Sequence, residues 1–489
     1  MNRPLRKVAV GCLLLFGLLL VNVNYLQVVK ADGYRDDPRN SRVLLRTYER
    51  ERGPIAVVAA DGTGRDVLAE SVRNDGPLSF LRTYPGGPAY AHVTGYYSLI
   101  YGRTGIERSE DRVLSGDDDR LFVRRLSDYV TGREPSGGGV LLTLDPAAQQ
   151  AAVAGLGNNR GAVVALDPRT GAVLAMVSNP SYDPAQLSSF EPADIRAYYN
   201  QLIEAPGDPL INRAISRTYP PGSTFKVITA AAALAGGEVQ PDTQLPSPPV
   251  LDLPQTTADL QNFGGGTCGG DTISLTNALR ISCNTAFAAL GLRLGQDALR
   301  EQAQAFGFGA DDLDVPTSVA TSVFPSGISP PSLAQSAIGQ FDVRVTPLQM
   351  AMVAAGIANG GQVMKPYLVR EVQAPDLSRL DLAKPEVYRR AVDEQVAAQL
   401  TRMMQLVVSD GSARRAQLEG VSVAGKTGTA QHAPGRPPHA WFIGFAPAED
   451  PRVAVAVVIE DGGSLGSEAT GGAVSAPIAR DVMRAVLRR

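Results

Sequence analysis

An apolar segment near the N-terminus constrains this chain more than any other feature, because it decides on which side of a membrane the rest must fold. Three basic residues precede an apolar run from Val8 to about Val29, which is long enough to span a bilayer as a helix. Positive charges favour the cytoplasmic side, so we expect residues 1–7 to be a cytoplasmic tail, 8–29 a single-pass plasma-membrane anchor, and the remainder extracytoplasmic. A cleaved export signal is the alternative, and it also places the body outside the cytoplasm.

Charge and composition narrow the function classes. A net charge of -3 over 489 residues argues against a nucleic-acid partner, which usually requires a basic surplus. Only 3 His and 3 Cys are present, so we predict no metal and no other cofactor. Cys12 lies in the apolar segment, which leaves Cys268 and Cys283 as the possible extracytoplasmic pair. The sequence leaves open whether they form a disulfide or remain two buried thiols.

A stretch rich in Pro, Ser and Gly at 131–139 has the composition of a linker. Before it, short apolar runs alternate with turn residues, so we expect residues 30–139 to be a small α+β N-terminal domain and linker without a catalytic constellation. The rest of the chain, 140–489, is expected to form one larger domain.

Strand-like apolar runs lie near both ends of the larger domain, and helical patterns lie between them. This arrangement predicts an α+β domain in which one antiparallel sheet is assembled from distant parts of the chain. The strands are expected at 162–166, 172–177, 440–445 and 452–460, and the helices at 223–236, 285–306, 346–358 and 394–408.

The first candidate for chemistry is the S-x-x-K pattern of Ser223 and Lys226. Pro and Gly precede the serine and an apolar run follows it, so we expect Ser223 to open a helix. Residues three apart share a helical face, and the lysine can act as base for the hydroxyl if burial or a second cation lowers its pKa. Taken alone, the pattern is better explained by an ordinary N-cap with a solvated lysine.

Two further segments carry polar residues that suit the same chemistry. Ser-Cys-Asn at 282–284 precedes an apolar helical pattern, and Lys-Thr-Gly-Thr at 426–429 follows an apolar strand. Ser and Asn can relay a proton and bind a substrate amide, whereas a strand-edge Lys beside a hydroxyl can bind a carboxylate. Each segment alone is better explained as a helix N-cap or a polar strand end.

Together, in this order, the three motifs resemble the signature of the penicillin-recognising serine enzymes. Longer stretches at 336–340, 346–350, 357–361 and 439–445 are similar to the class B penicillin-binding proteins, which are monofunctional transpeptidases. The resemblance covers about 140–489 strongly and the N-terminal region weakly. It implies a serine β-lactamase/transpeptidase-like domain, with an antiparallel sheet flanked by helices and an all-helical subdomain, preceded by a dimerisation or pedestal-like domain.

The resemblance also implies a set of catalytic roles. Ser223 would attack a D-Ala-D-Ala stem peptide, release D-Ala and form an acyl-enzyme, with Lys226 taking its proton. Ser282, Asn284 and Lys426 would pass the proton to the leaving amine and hold the substrate. An amine of a second stem peptide would then resolve the acyl-enzyme into a cross-link.

Substrate binding is implied for the strand that carries the third motif. Thr427 and Thr429 would bind the terminal carboxylate, with Gly428 between them in the same substrate-binding strand. The backbone N–H groups of Ser223 and Thr429 would form the oxyanion hole. β-Lactams, which resemble D-Ala-D-Ala, would acylate Ser223.

Several functions share this acylation chemistry. A D,D-carboxypeptidase or a β-lactamase would pass the acyl group to water, and a non-enzymatic β-lactam sensor or division scaffold would keep it. The expected partners of a transpeptidase are stem peptides, the plasma membrane and, by resemblance, a polytopic glycan polymerase and division proteins. The acceptor amine, the septal or lateral role and the oligomeric state stay open.

Two other patterns point to different enzymes and are discounted. Residues 420–427 satisfy the phosphate-loop pattern, but prolines follow where that site needs a helix. Residues 462–466 satisfy the G-x-S-x-G elbow of α/β-hydrolases, but all three histidines precede Ser464 whereas that triad needs a downstream His.

Overall fold

A computed structural model describes residues 3–30, 34, 48–60, 62–76, 78–122, 130–132, 134 and 136–488. Some of the sequence predictions therefore fall partly outside the described residues. The positions concerned are 1–2 of the expected cytoplasmic tail, 31–33, 35–47, 61, 77 and 123–129 of the expected N-terminal domain, 133 and 135 of the expected linker, and 489.

The apolar N-terminal segment is helical over Arg3–Asn24 and continues as a π-helical turn over Tyr25–Val29. Among the described residues it is the one helix long and apolar enough to cross a membrane. None of its side chains is buried against the rest of the protein, which is compatible with a single-pass membrane anchor.

The N-terminal region forms a six-stranded mixed sheet with small helices beside it. Three of the strands come from the first part of the chain, one is Gly139–Leu142, and two are the later hairpin Val369–Gln373 and Arg379–Leu382. The sheet therefore crosses the division at 139/140, and that division stays a prediction. The early elements are Ile55–Val58, Arg65–Arg73, Phe80–Thr83, the hairpin Tyr97–Ser98 with Gly102–Arg103, and the helices Ala91–Thr94, Gly105–Ser109 and Asp111–Leu114.

The larger sheet has five antiparallel strands, and chain-distant strands meet at its centre, as predicted. Every residue of the two strands from the end of the chain that lie inside the sheet is buried, so helices must cover both faces. The strands, in spatial order, are Ala424–Ala430, His439–Ala446, Val453–Ile459, Gly161–Leu166 and Val173–Asn179.

Two groups of helices cover this sheet. Pro146–Leu156, which the side chain of Asp145 caps, packs against Ala476–Leu487. Pro347–Ala358 and Glu394–Ser409 contact the sheet as well and join it to the helical part of the domain. The helical part contains Lys226–Ala235, Leu275–Ile281, Asn284–Ala305 and Pro330–Ser336. The remaining elements are the helices Pro184–Leu187, Pro192–Glu204 and Arg213–Ser216 and the short strands Gln244–Pro246, Val250–Asp252, Asp259–Gln261, Thr272–Ser274, Gln362–Met364 and Val387–Arg390.

Candidate active site

Ser223 lies in a 3-10 turn, Gly222–Thr224, that leads directly into the helix Lys226–Ala235. We call this helix the nucleophile helix. Ser223 is thus inside the first turn and not at the N-cap. Its side chain is partly exposed, whereas Lys226 is fully buried one turn further along. The helical turn therefore places a buried amine below a hydroxyl that a substrate can reach.

The loop before the nucleophile is held by contacts from distant segments. Gly222 has a φ of 54° and donates its N–H to the carbonyl of Gly339. The indole N–H of the buried Trp441 donates to the carbonyl of Pro220 at 3.0 Å. A Cβ on Gly222 would lie 2.8 Å from the carbonyl oxygen of Thr429. Only glycine permits this approach, which sets the nucleophile beside the strand of the third motif.

The second motif reaches Lys226 from the turn between two helices. Ser282 ends the helix Leu275–Ile281 in a left-handed conformation, with φ 66° and ψ 40°, which costs a non-glycine residue about 1 kcal/mol or more. In this conformation of Ser282, the Lys226 Nζ donates to the carbonyl of Ser282 and to Oδ1 of Asn284, both at 2.7 Å. The Ser282 hydroxyl lies 3.3 Å from the same nitrogen.

The third motif completes the cluster from the edge of the five-stranded sheet. Lys426 lies on Ala424–Ala430, which we call the edge strand, and its Nζ donates to the Ser282 hydroxyl at 2.8 Å. The Ser282 oxygen therefore lies between two lysine side chains. The structure brings Ser223, Lys226, Ser282, Asn284 and Lys426 into one site, although they are up to 203 positions apart.

Both lysines are completely buried, and neither forms an ion pair with a carboxylate of the described residues. Burial, and then the charge of Lys426, lower the pKa of Lys226 well below its ordinary value. Burial also lowers the pKa of Lys426 to about 7. The site thus stabilises a neutral amine at Lys226, which can accept a proton, beside a lysine that exchanges its own proton near neutral pH.

The expected substrate-binding residues occupy the edge strand in alternation. Thr427 is buried and Thr429 is partly exposed, and their side chains point to the same face of the strand. A Cβ on Gly428 would lie 2.8 Å from the carbonyl oxygen of Pro221. Gly428 is therefore the point at which the nucleophile loop approaches the strand.

Two polar residues that sequence reasoning missed support these groups. The Ser412 hydroxyl lies 2.6 Å from that of Thr427 and orients it. Oδ1 of Asn262 accepts the N–H of Asn284 at 2.7 Å, at the start of the helix Asn284–Ala305. Neither stands in a recognisable local pattern, so only the fold reveals them.

Cys268 and Cys283, which the sequence left open, form a disulfide. Because Cys283 is the middle residue of the second motif, the bridge ties that motif to the loop that carries Asn262. Cys12 is free and exposed on the N-terminal helix.

The two discounted patterns are not the sites that they imitate. Gly425 and Lys426 lie inside the edge strand, and no helix follows it directly. Gly462 to Gly466 form a turn in which several residues have positive φ, without the strand-to-helix elbow of a hydrolase.

One group of side chains in the described part of the chain has metal-ligand chemistry: His432, His439 and Asp461, whose ligand atoms lie within 4.8 Å of one another. The two imidazole rings stack 3.9 Å apart and are nearly parallel. The lone pair of a ring nitrogen lies in the ring plane, so stacked rings cannot share one ion. Arg160 and Arg436 already bind the carboxylate of Asp461. This arrangement does not fit a metal centre.

The fold and the three converging motifs define a class, the serine transpeptidases that bind penicillin. Residues 161–484 match the family model of the penicillin-binding protein transpeptidase domain, and residues 52–140 match that of the penicillin-binding protein A dimerisation domain. The chain belongs to the penicillin-binding transpeptidase family.

Two curated relatives match the whole chain. The Peptidoglycan D,D-transpeptidase PbpA of Mycolicibacterium smegmatis is 52% identical over 497 residues, which cover 100% of this chain and 99% of the relative. The protein of the same name from Mycobacterium tuberculosis is 48% identical with the same coverage. Among solved structures, the penicillin G acyl-enzyme complex of penicillin-binding protein A from M. tuberculosis has a TM-score of 0.84 and 48% identity, covering 90% of this chain and 100% of that chain.

Proposed function

We propose that this protein is a peptidoglycan D,D-transpeptidase that cross-links stem peptides through an acyl-enzyme on Ser223 and is inhibited covalently by β-lactams. The observation that carries the proposal is the buried, carboxylate-free pair of lysines on either side of Ser282. The names of the two PbpA relatives and the acyl-enzyme neighbour support the same activity.

Acylation begins when the Ser223 hydroxyl attacks the carbonyl between the two D-Ala residues. Lys226, neutral because it is buried next to a second lysine, takes the hydroxyl proton. Ser282 contacts both lysines and passes a proton on to the leaving amine of D-Ala. The side-chain carbonyl of Asn284 accepts a hydrogen bond from Lys226. This contact keeps the amine of Lys226 in position while its proton is transferred.

The edge strand supplies the binding groups for the same step. Thr427 and Thr429 bind the C-terminal carboxylate, and Lys426 provides positive charge in its protonated form. The N–H groups of Ser223 and Thr429 stabilise the oxyanion of the tetrahedral intermediate. Gly222 and Gly428 allow the two segments that carry these N–H groups to meet.

The acyl group then passes to an amine of a second stem peptide, which forms the cross-link. Water in place of that amine would make the enzyme a D,D-carboxypeptidase. A β-lactamase would deacylate the penicilloyl-enzyme within minutes. Relative rates of transfer to amine and to water decide between these outcomes.

Labelling with a fluorescent penicillin tests the nucleophile. We expect the full chain in detergent to retain the label through denaturing electrophoresis and Ser223→Ala to lose it completely, because no other group forms the ester. Thr224→Ser, one residue away, is the matched control and is expected to label. Label that survives Ser223→Ala contradicts the assignment, and rapid loss of label from the wild type contradicts a transpeptidase.

The N-terminal part of the chain bears on where in the cell the reaction takes place and with which partners. We propose that residues 8–29 anchor the protein in the plasma membrane with residues 1–7 in the cytoplasm, so that residues 140–489 act on the wall. The N-terminal domain, taken as 30–139, is proposed to contact a polytopic glycan polymerase and division proteins. Protease protection of a tag placed before Arg3 tests the orientation.

A further inference from the structure

A second concave site lies close to the far end of the edge strand, next to the nucleophile loop. It encloses about 330 Å³, and Tyr219 and Pro220 form part of its wall. Ser223 follows three residues after Pro220, so the site neighbours the acyl-enzyme. Its charged lining consists of four arginines, Arg160, Arg217, Arg344 and Arg436, and two carboxylates, Glu460 and Asp461.

The two carboxylates are already neutralised by contacts of their own. Glu460 accepts hydrogen bonds from the buried Arg213 at 2.9 Å and from the Tyr219 hydroxyl at 2.7 Å. Asp461 accepts from Arg160 and from Arg436. These ion pairs leave little negative potential for a cationic ligand to meet.

The other two arginines form weaker ion pairs, although Nη1 of Arg344 also donates to the main-chain carbonyls of Phe341 and Val343. Arg217 pairs with Asp208, and Arg344 lies 3.8 Å from Asp342. Both aspartates are more than half exposed, and such pairs are weak because solvent screens them. In a protein of net charge -3, this pocket has a surplus of positive charge and suits an anion.

The position of the pocket relates it to the substrate. An edge strand binds an extended peptide by adding it to the sheet. With the terminal carboxylate at Thr427 and the reacting carbonyl at Ser223, the upstream part of the peptide runs toward Ala430. Residues 429 to 432 span about 10 Å of extended chain, so the residue before D-Ala-D-Ala comes close to His432 at the pocket wall.

Pairing with the edge strand stops at Ala430. The side-chain amide of Gln340 binds the main chain of Gln431, donating to its carbonyl at 3.0 Å and accepting its N–H at 3.3 Å. A bound peptide must therefore leave the strand at this point. Arg344 follows Gln340 by four residues and lines the pocket together with His432.

We propose that this arginine-lined pocket binds a carboxylate on the stem-peptide residue that precedes D-Ala-D-Ala. The inference rests on the proposed function and specifies it further, because it makes the enzyme selective for donors with a free acid in that side chain. A neutral amide of the same shape cannot form charge-assisted hydrogen bonds with guanidinium groups. The pocket thus discriminates between acid and amide forms of one donor.

A pair of synthetic donors tests the proposal. One is acetyl-L-2-aminopimelyl-D-Ala-D-Ala, whose side chain ends in a carboxylate, and the other is its side-chain amide. With the full chain in detergent and glycine as acceptor, we expect D-Ala release from the acid with a kcat/KM at least about tenfold higher. In Arg217→Met, Arg344→Met and the double variant, the acid-to-amide ratio should fall toward one, with the amide peptide as the internal reference.

Arg293→Met is the matched control, since Arg293 is half exposed and pairs with Glu238 on another surface; its ratio should equal that of the wild type. Equal kcat/KM for both peptides in the wild type, or a ratio unchanged in the double variant, overturns the pocket while leaving the transpeptidase intact. Failure of the proposed function would give a different result. In that case neither peptide would release D-Ala, or Ser223→Ala would retain the penicillin label.

Discussion

Each of the two parts of the molecule contains a cluster of buried ionisable side chains. In one cluster the buried groups stay charged, and in the other burial favours the neutral form. In the N-terminal part, the carboxylate of Glu107 is held between the guanidinium groups of Arg52 and Arg82, and all three side chains are buried. In the active site, Lys226 and Lys426 are equally buried, but the group between them is the neutral hydroxyl of Ser282.

The presence or absence of a counter-charge decides what each cluster does. Burial alone would raise the pKa of Glu107, but Arg82 and Arg52 lower it, so the carboxylate stays ionised. Its ion pairs then link the segments that carry Arg52, Arg82 and Glu107. The lysines lack such a partner, so burial lowers the pKa of both and leaves them ready to exchange protons. A buried group that has a counter-charge stays ionised, whereas a buried lysine without one has a lowered pKa and can act as a base.

Lys226→Met should produce the largest effect. We expect it to slow acylation without reducing the stability of the fold. It removes the base and leaves the nucleophile without activation, so we expect penicillin acylation to slow by about a thousandfold or more. The protein should stay folded, because an apolar side chain replaces a buried amine that has no counter-charge. Stopped-flow acylation and thermal melting measure the two effects; a variant that unfolds instead would make this cluster structural, like the first.

Glu107→Gln should produce the converse result. It leaves the buried guanidinium of Arg82 without its carboxylate and Arg52 with that of Asp111 alone, and we expect a loss of about 3–5 kcal/mol in the free energy of unfolding. Urea unfolding measures this loss, and acylation by the protein that remains folded should keep its wild-type rate. Glu134→Gln, which breaks an exposed ion pair with Arg73, is the control and should cost less than about 1 kcal/mol.

The two clusters should also differ in how they respond to pH. Because burial lowers the pKa of Lys426 to about 7, the unfolded chain binds a proton between about pH 7 and 10 that the folded protein does not. The free energy of unfolding therefore rises with pH over this range, by up to about 1.4 kcal/mol per unit for this group. Urea unfolding at pH 7, 8 and 9 should show a shallower rise in Lys426→Met; equal slopes would contradict the lowered pKa.

Ser412→Ala should produce the smallest effect. It removes the 2.6 Å contact that orients the Thr427 hydroxyl, a loss of about 1 kcal/mol that slows acylation by about fivefold. The melting temperature should change little because Ser412 is an exposed residue. Ser409→Ala, on an exposed end of the preceding helix, should leave the rate unaltered; an equal loss there would show that the effect is not local.

Much of the larger domain was predictable because its elements depend on local pattern. The hairpin at 162–177, the helices that contain Lys226 and Asn284, and the two apolar strands near the end of the chain all follow hydrophobic periodicity and turn residues. The strand Gly139–Leu142 was predictable as a strand, but its partners were not, since nothing in an apolar tetrapeptide says that it pairs with Ile55–Val58 and Val369–Gln373.

By itself, the sequence determined the close pairing of Ser223 and Lys226, because three residues along a helix place two side chains on one face whatever else the chain does. Through the order of the three motifs, it also predicted acylating chemistry for this pair. Only the tertiary structure decided that the pKa of Lys226 is lowered, as a role as base would require. A lowered pKa requires burial and a second lysine 200 positions away, and both come from long-range packing that places Lys426 and Ser282 against the nucleophile helix.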